Sequence, residues 1–371
     1  MRWLEAGGAG ARDRGRTSSA GALLAGARLE RARVTQTLAS LAGLTLVLAI
    51  AALFARDFYA SANLVLVAQQ IGFIGVAALG QTFTLLLGGI DLSVGAVSGL
   101  TMVVVAVVSG GSDDKLAVAI LLAFGLGIAV GIGNAVLVSW RNAPPFVATF
   151  ATFTLVEGAL LAWTKGAPSG NIPESLGSFG AGSVAGIPVP LLVFAGLCLV
   201  CAFALVKTTY GRWVYATGSN PAAARLAAIP TRAVTTSAYV VCALCAVVAG
   251  LLISGYIGYV DNQLVGTINL NCIAAAVIGG TTFAGGEGGV ARTTIGVVLL
   301  ASLLSLMVFF NAGISGQLVL EGAVILGAVW LQNRGQDGGR SVRRLRLWVE
   351  WAGRRAGAGS TPNDSKERSV R

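Results

Sequence analysis

Residues 62–91 read ANLVLVAQQIGFIGVAALGQTFTLLLGGID, a stretch whose first charged side chain is Asp91. A helix of roughly 20 apolar residues spans the hydrocarbon core of a bilayer. This stretch is too long for one crossing and too short for two, and glycines punctuate it at Gly80 and at Gly88–Gly89. We therefore predict a membrane segment that is broken or re-entrant between Gln81 and Gly89.

Similar apolar runs recur from Leu38 to Leu331, and only 11% of the 371 residues are charged. A soluble protein carries about 25% charged residues, and its helices have polar faces that these runs lack. The sequence therefore predicts an all-α polytopic membrane protein with about ten transmembrane helices. The predicted spans are 38–54, 62–80, 92–110, 116–139, 145–163, 188–206, 233–254, 269–283, 293–311 and 317–331.

The distribution of basic residues predicts the orientation and the domain organisation. Of the 26 lysines and arginines, the outside loops hold only Arg56, Lys115 and Lys165 when the N-terminus is placed in the cytoplasm. Basic residues accumulate in cytoplasmic segments, so both termini are expected there. Because the basic residues are explained by this orientation, no nucleic-acid binding is expected. The predicted domains are an Arg-rich tail, a transmembrane domain in the lipid bilayer and a second basic tail. Their bounds are 1–36, 37–332 and 333–371.

The residues that are missing exclude several kinds of chemistry. Histidine is absent, which removes the commonest general base, pH switch and metal ligand. The pairs Cys198–Cys201 and Cys242–Cys245 lie inside apolar runs, so we interpret them as packing residues rather than as a zinc site. No P-loop sequence for binding ATP occurs. We expect no catalytic residue, no metal and no cofactor.

Two carboxylates, Glu157 and Glu321, fall inside predicted spans, and a third, Asp91, directly precedes one. Such a group is costly in a membrane unless it is paired or hydrated, so each is a candidate functional residue. Asp91 follows Gly88–Gly89 and precedes Ser93 and Gly95. It either caps the third helix or contacts a solute or an ion. For Glu157 and Glu321, roles that face a cavity or join two helices both stay open.

A second glycine-interrupted region begins with Gly279, Gly280 and Thr281 and runs to Gly289. Broken apolar segments in both halves of a membrane protein point to an internal repeat and a transport pathway. Close packing of membrane helices is the other explanation for glycines of this kind.

The cytoplasmic loop 207–232 contains the start of a helix. Asn220 can act as the N-cap and Pro221 as the first helical residue. The alanine-rich run that follows favours helix, and Pro230 ends it. The result is a short helix outside the membrane, which is suited to a groove on a partner protein.

Taken together, four stretches resemble the membrane permease subunits of ribose-type sugar importers of the ATP-binding-cassette class. Their order and spacing match that family over nearly all of the predicted membrane part. The stretches are Gly-Gly-Ile-Asp-Leu-Ser-Val-Gly at 88–95, Pro-Pro-Phe at 144–146 followed by Ala-Thr-Phe-Ala-Thr at 148–152, Gly-Ser-Asn-Pro-Ala-Ala-Ala-Arg at 218–225, and 278–289 from Ile-Gly-Gly-Thr to the last glycine.

The resemblance implies a pathway for a monosaccharide such as ribose, xylose or galactose across the bacterial plasma membrane. Two permease subunits, identical or paralogous, would pair around it. A separate cytoplasmic ATPase subunit would drive alternating access, and an extracytoplasmic sugar-binding protein would deliver the solute. Loop 207–232 then corresponds to the family's coupling helix, with Gly218, Asn220, Ala223 and Arg225 toward the ATPase. The chain departs from the family at Ala228, where glycine is frequent.

Three alternatives stay open. The first is an ion-coupled secondary transporter that uses an intramembrane carboxylate, and the second is an importer permease for nucleosides or branched-chain amino acids. The third is a membrane enzyme, although no pairing of a nucleophile with a base supports it. Uptake that depends on an ATPase separates the first alternative from the importer.

Overall fold

The computed structural model describes residues 37–166, 170–260 and 264–330, so the two predicted tails lie outside the described residues. Residues up to Leu326 belong to one compact unit, and a second begins at Gly327. In chain order, the helices are α1 (Thr37–Phe54), α2 (Ser61–Leu86), α3 (Val94–Ser109), α4 (Leu116–Ala135), α5 (Pro145–Thr164), α6 (Glu174–Ala181), α7 (Val189–Lys207), α8 (Thr209–Ser219), α9 (Pro221–Leu226), α10 (Thr231–Ile257), α11 (Leu264–Ile278), α12 (Val290–Phe309) and α13 (Ile314–Trp330).

Seven helices in the described part of the chain are long and apolar enough to cross a membrane, which makes this an all-α polytopic membrane protein. They are α1, α2, α4 with its flanking turns, α5, α7, α10 and α12, and each coincides with a predicted span. Helices α3, α11 and α13 are apolar but shorter. The predicted span 269–283 is placed too late, because α11 already ends at Ile278.

Helix α2 is continuous through Gly80 and Gln81 and ends at Leu86, so the predicted interruption is wrong at Gly80–Gln81 and confirmed at Gly88–Gly89. A Cβ on Gly80 would lie 2.8 Å from the Cβ of Cys245 and 2.9 Å from the Cα of Cys242. The glycine therefore serves close packing of α2 on α10, and the chain breaks only after Leu86. The two cysteines are packing residues, as the sequence predicts.

Helix α10 lies at the centre of the packed helices and contacts α2, α3, α4 and α6. Glycines on both sides allow the close approach: Gly131 of α4 lies against Ala243, and Gly250 of α10 lies against Ser98. Apolar side chains on the outer faces remain exposed, as on α7, where Leu199 is 75% exposed. Dense packing inside and an apolar surface outside are what a lipid solvent requires.

Two connections contain structure that the sequence analysis did not predict. Between α5 and α7, helix α6 is followed by the hairpin β1 (Ser183–Val184) and β2 (Ile187–Pro188), whose residues Val184 and Ile187 pair. Loop 207–232 holds two helices, α8 and α9, where one was predicted.

Candidate functional site

The chain reverses direction just after α2. The backbone N–H of Gly88 donates to the Leu85 carbonyl at 2.8 Å, and that of Gly89 donates to the Thr84 carbonyl at 2.9 Å. Gly88 has a φ of 75°, which a glycine adopts without strain. A Cβ on Gly89 would lie 2.7 Å from the Tyr239 hydroxyl, so a side chain at this position would require the Tyr239 ring to move.

The reversal places Asp91 beside Gln81, in the interior of the bundle. With its amide oriented to satisfy both groups, Gln81 donates to the Asp91 carbonyl at 3.1 Å and accepts from the Asp91 N–H at 3.2 Å. Asp91 is 1% exposed, and its Oδ1 accepts from the N–H of Ser93 at 2.8 Å and from its hydroxyl at 2.6 Å. The carboxylate therefore organises the turn before α3, whose N-cap is Ser93 and not Asp91.

Amides from two other helices complete this turn. Asn269 of α11 accepts from the Gly95 N–H at 2.5 Å and donates to the Leu92 carbonyl at 2.6 Å. It thereby satisfies one of the orphan donors in the first turn of α3, a capping role that was one of the two alternatives for Asp91. Asn134 of α4 donates to the Ser93 hydroxyl at 2.8 Å. Neither amide was predicted from the sequence, although a lone amide in an apolar helix is itself a signal.

The second glycine-rich segment joins α11 to α12. A Cβ on Gly279 would collide with the Arg292 carbonyl, and Gly280 has a φ of 106°. The Thr293 hydroxyl lies 2.7 Å from that of Thr82 on α2 and 3.4 Å from that of Thr281. The predicted residues Gly279, Gly280 and Thr281 therefore form a tight link between α11, α12 and α2.

Three segments that are far apart in sequence meet where α2 ends. The Gly286 N–H donates to the Leu86 carbonyl at 2.7 Å. A Cβ on Gly218, at the end of α8, would collide with that same carbonyl. A Cβ on Gly88 would lie 3.4 Å from the Ala284 carbonyl. We call this meeting point the glycine junction: Gly218 and Gly286 contact Leu86, and Gly88 contacts Ala284.

Tyr210 anchors the start of α8 to the same end of the bundle. Its ring stacks on that of Phe83, with centroids 6.5 Å apart, and its hydroxyl accepts from the Ser237 hydroxyl at 2.9 Å. Burial raises the pKa of Tyr210, so the phenol stays neutral at physiological pH. Helix α8 is thus fixed to α2 at its first turn by Tyr210 and at its last by the glycine junction.

Helix α9 begins as predicted. The Asn220 side chain accepts from the N–H groups of Ala222 at 3.1 Å and Ala223 at 3.0 Å, and Pro221 is the first helical residue. The helix ends at Leu226, earlier than Pro230 predicts. Ala228 takes a φ of 58°, a left-handed conformation that glycine adopts more easily, which gives a physical reason for the glycine frequent there in the resembling family.

Of the four residues expected to face the ATPase, Gly218 does not face outward, because it is buried at the glycine junction. Ala223 and Arg225 are exposed, but Ala224 is buried against its own chain and cannot contact a partner. Leu226, which the sequence analysis did not single out, is 92% exposed. An apolar side chain held so fully in solvent beside a cation and a small residue is suited to a protein contact.

The two other carboxylates lie outside these clusters. Glu157 is half-buried on α5, whereas the residue of α5 that touches the Asp91 turn is Thr149, which accepts from the Leu92 N–H at 3.1 Å. Glu321 on α13 is 1% exposed, and its Oε2 has no hydrogen-bond partner among the described residues.

A known family of permeases matches the sequence of this chain. The model of the family described as "branched-chain amino acid transport system / permease component" matches residues 63–329. The chain belongs to this permease family. The ribose import permease proteins of Bacillus subtilis and Escherichia coli K12 are 33% and 32% identical to this permease over 81% and 80% of its length, and over 94% of theirs. The autoinducer 2 import system permease protein of Salmonella paratyphi B is 31% identical over 78% of this permease and 85% of its own length. No solved structure matches the chain.

The Asp91 turn gives a prediction about charge and shape. Asp91→Asn keeps an oxygen for the Ser93 N–H and should retain most transport and folding yield. Asp91→Leu removes the acceptor from two buried donors, which costs roughly 1–3 kcal/mol each, and should lose yield of folded protein. Detergent-stable yield and uptake rate measure the two effects. A well-folded Asp91→Asn variant with almost no transport would instead assign the carboxylate charge to the pathway.

Proposed function

We propose that this permease forms the translocation pathway of an ATP-binding-cassette importer for a monosaccharide of the ribose type. The names of its ribose import relatives support the substrate class. It is a multi-pass protein of the bacterial plasma membrane, and it contributes the pathway by alternating access while a separate subunit hydrolyses ATP.

The observation that carries this proposal is the exposed face of α9 together with its connection to the bundle. Leu226, Arg225 and Ala223 face away from the chain, and α9 follows directly on α8. Helix α8 contacts α2 and the loop before α12 at the glycine junction. A partner that pushes on α9 therefore acts on the end of α2 and the start of α12. The backbone contacts between these segments are close-packed and leave no space for them to move independently.

The proposal includes three protein partners. A cytoplasmic ATPase subunit receives α9, an extracytoplasmic sugar-binding protein delivers the solute, and a second permease subunit, identical or paralogous, completes the pathway. The predicted path of ten spans with both termini in the cytoplasm belongs to the same proposal. It places α9 and the glycine junction on the cytoplasmic side, where ATP is available.

Reconstitution tests the function directly. Proteoliposomes that contain the permease and its ATPase, with ATP enclosed in the lumen and the binding protein outside, should take up ribose saturably and only when ATP is present. Leucine and a nucleoside serve as competitors for the two other importer substrates. Uptake driven by an ion gradient without the ATPase would overturn the proposal in favour of a secondary transporter, and uptake of leucine would keep the importer but change its substrate.

A further inference from the structure

A cavity of about 460 Å³ lies at the end of the bundle opposite to the glycine junction. Its walls are the first half of α2, the last turns of α10 and α12, the first half of α11 and the start of α13. In the proposed topology this is the external half of the membrane. Its volume falls in the range of cavities that bind small molecules, about 300–1,000 Å³.

Four side-chain amides line this cavity: Gln69, Gln70, Asn271 and Gln317. Two of their oxygens, Gln70 Oε1 and Asn271 Oδ1, are buried without a hydrogen-bond partner among the described residues. Asn271 as a whole is only 7% exposed. Buried polar atoms normally have partners, so two unpaired acceptors at one cavity indicate a ligand that donates hydrogen bonds.

The remaining wall is aromatic and aliphatic. The rings of Phe73 and Tyr256 lie with centroids 5.1 Å apart at 48°, and both line the cavity. Phe73 and Ile257 also pack on the buried cluster that contains Met102, which fixes the wall from behind. Rings present a flat apolar surface, while a few placed amides set the orientation of what lies on it.

We propose that this cavity holds the sugar in transit, an inference that rests on the proposed function and adds the site. The amide oxygens can accept hydrogen bonds from sugar hydroxyl groups, and the amide N–H groups can donate hydrogen bonds to sugar oxygens. The rings can cover the C–H face of a neutral polyol. Helices α2 and α10 run from this cavity to the cytoplasmic end, where α2 ends at the glycine junction and α10 follows α9. A movement of α9 therefore reaches the cavity along two continuous helices.

The test compares Asn271→Leu and Gln70→Leu with Thr164→Val, a matched control. Thr164 is buried near the same end, bonds within its own helix at 2.8 Å and does not line the cavity. In the reconstituted complex with a fixed, saturating binding protein, each cavity variant should lower ribose uptake about tenfold, because one hydrogen bond to the solute is lost. The ratio of ribose to arabinose uptake should also change, because the two pentoses differ in the configuration of one hydroxyl group.

A second readout is direct stabilisation of the purified permease–ATPase complex by ribose, without binding protein. Wild type and Thr164→Val should melt higher with ribose, and Asn271→Leu should not. Asn271→Ser, which is smaller and still polar, should show the same changes to a lesser degree if the leucine variant yields no complex. Cavity variants that keep the control's rate, pentose ratio and thermal shift would overturn the cavity assignment and leave the importer standing. A wild-type complex that imports no sugar with ATP would overturn the proposed function and, with it, this site.

Discussion

Gly218→Val should abolish uptake and sharply lower the yield of folded permease. A Cβ at this position already collides with the Leu86 carbonyl and would lie 2.8 Å from the Gly286 N–H. The obstacle is backbone on both sides, so no rotamer change relieves it, and the cost should exceed the roughly 1–3 kcal/mol of ordinary overpacking. Thermal melting of the detergent-purified protein and uptake in proteoliposomes measure the loss.

The matched control is Gly196→Val on α7. Gly196 is also helical, but a Cβ there meets nothing within 4 Å, so the variant should keep yield and uptake close to wild type. Gly218→Ala should already lose most uptake, whereas Gly196→Ala should be neutral or slightly stabilising, because alanine is about 1 kcal/mol better than glycine in a helix. Equal yield and uptake of Gly218→Ala and Gly196→Ala would show that the glycine junction has space for a side chain at position 218.

The membrane architecture could be predicted because it depends on composition over long windows. A run such as that of α7 has few other ways to satisfy its backbone in lipid, so its position follows from hydropathy alone. The ends of helices depend on local contacts instead. Nothing in the sequence around Gly80 distinguishes a glycine that packs on Cys242 from one that breaks a helix, so the interruption predicted there was wrong, whereas the one predicted at Gly88–Gly89 is present.

Some residues of the candidate site could likewise be predicted from the sequence, and others could not. Asp91 and Asn220 were found because their neighbours in sequence, Ser93 and Pro221, are also their neighbours in space. Asn269 was missed because its partner Gly95 is far away along the chain, and only the fold brings the two together. Leu226 was missed because exposure is a property of the fold, and an apolar residue in an alanine-rich helix does not reveal which way it faces.

Charge and shape on α9 give the other large effect, because they decide whether the permease couples to an ATPase at all. Leu226→Asp, Arg225→Ala and Ala223→Trp should each fold normally, since these three side chains are exposed. Removing Arg225 from a desolvated contact should cost about 2 kcal/mol or more, a loss of roughly 30-fold in affinity. Leu226→Asp should lose at least as much, because it places an unpaired charge where an apolar contact is expected.

ATP hydrolysis stimulated by the loaded binding protein and sugar uptake should fall together in these variants. Arg141→Ala is the control, because Arg141 is an exposed arginine outside α9, and it should behave like wild type. A cysteine at Ala223, with the five native cysteines replaced, should crosslink to the ATPase. Ala224→Cys should not, because Ala224 is 4% exposed and turned to its own chain. Unchanged uptake in all three variants would show that α9 does not bind the ATPase. A helix that binds the ATPase through Leu226 cannot carry a charge at that position without losing affinity for it.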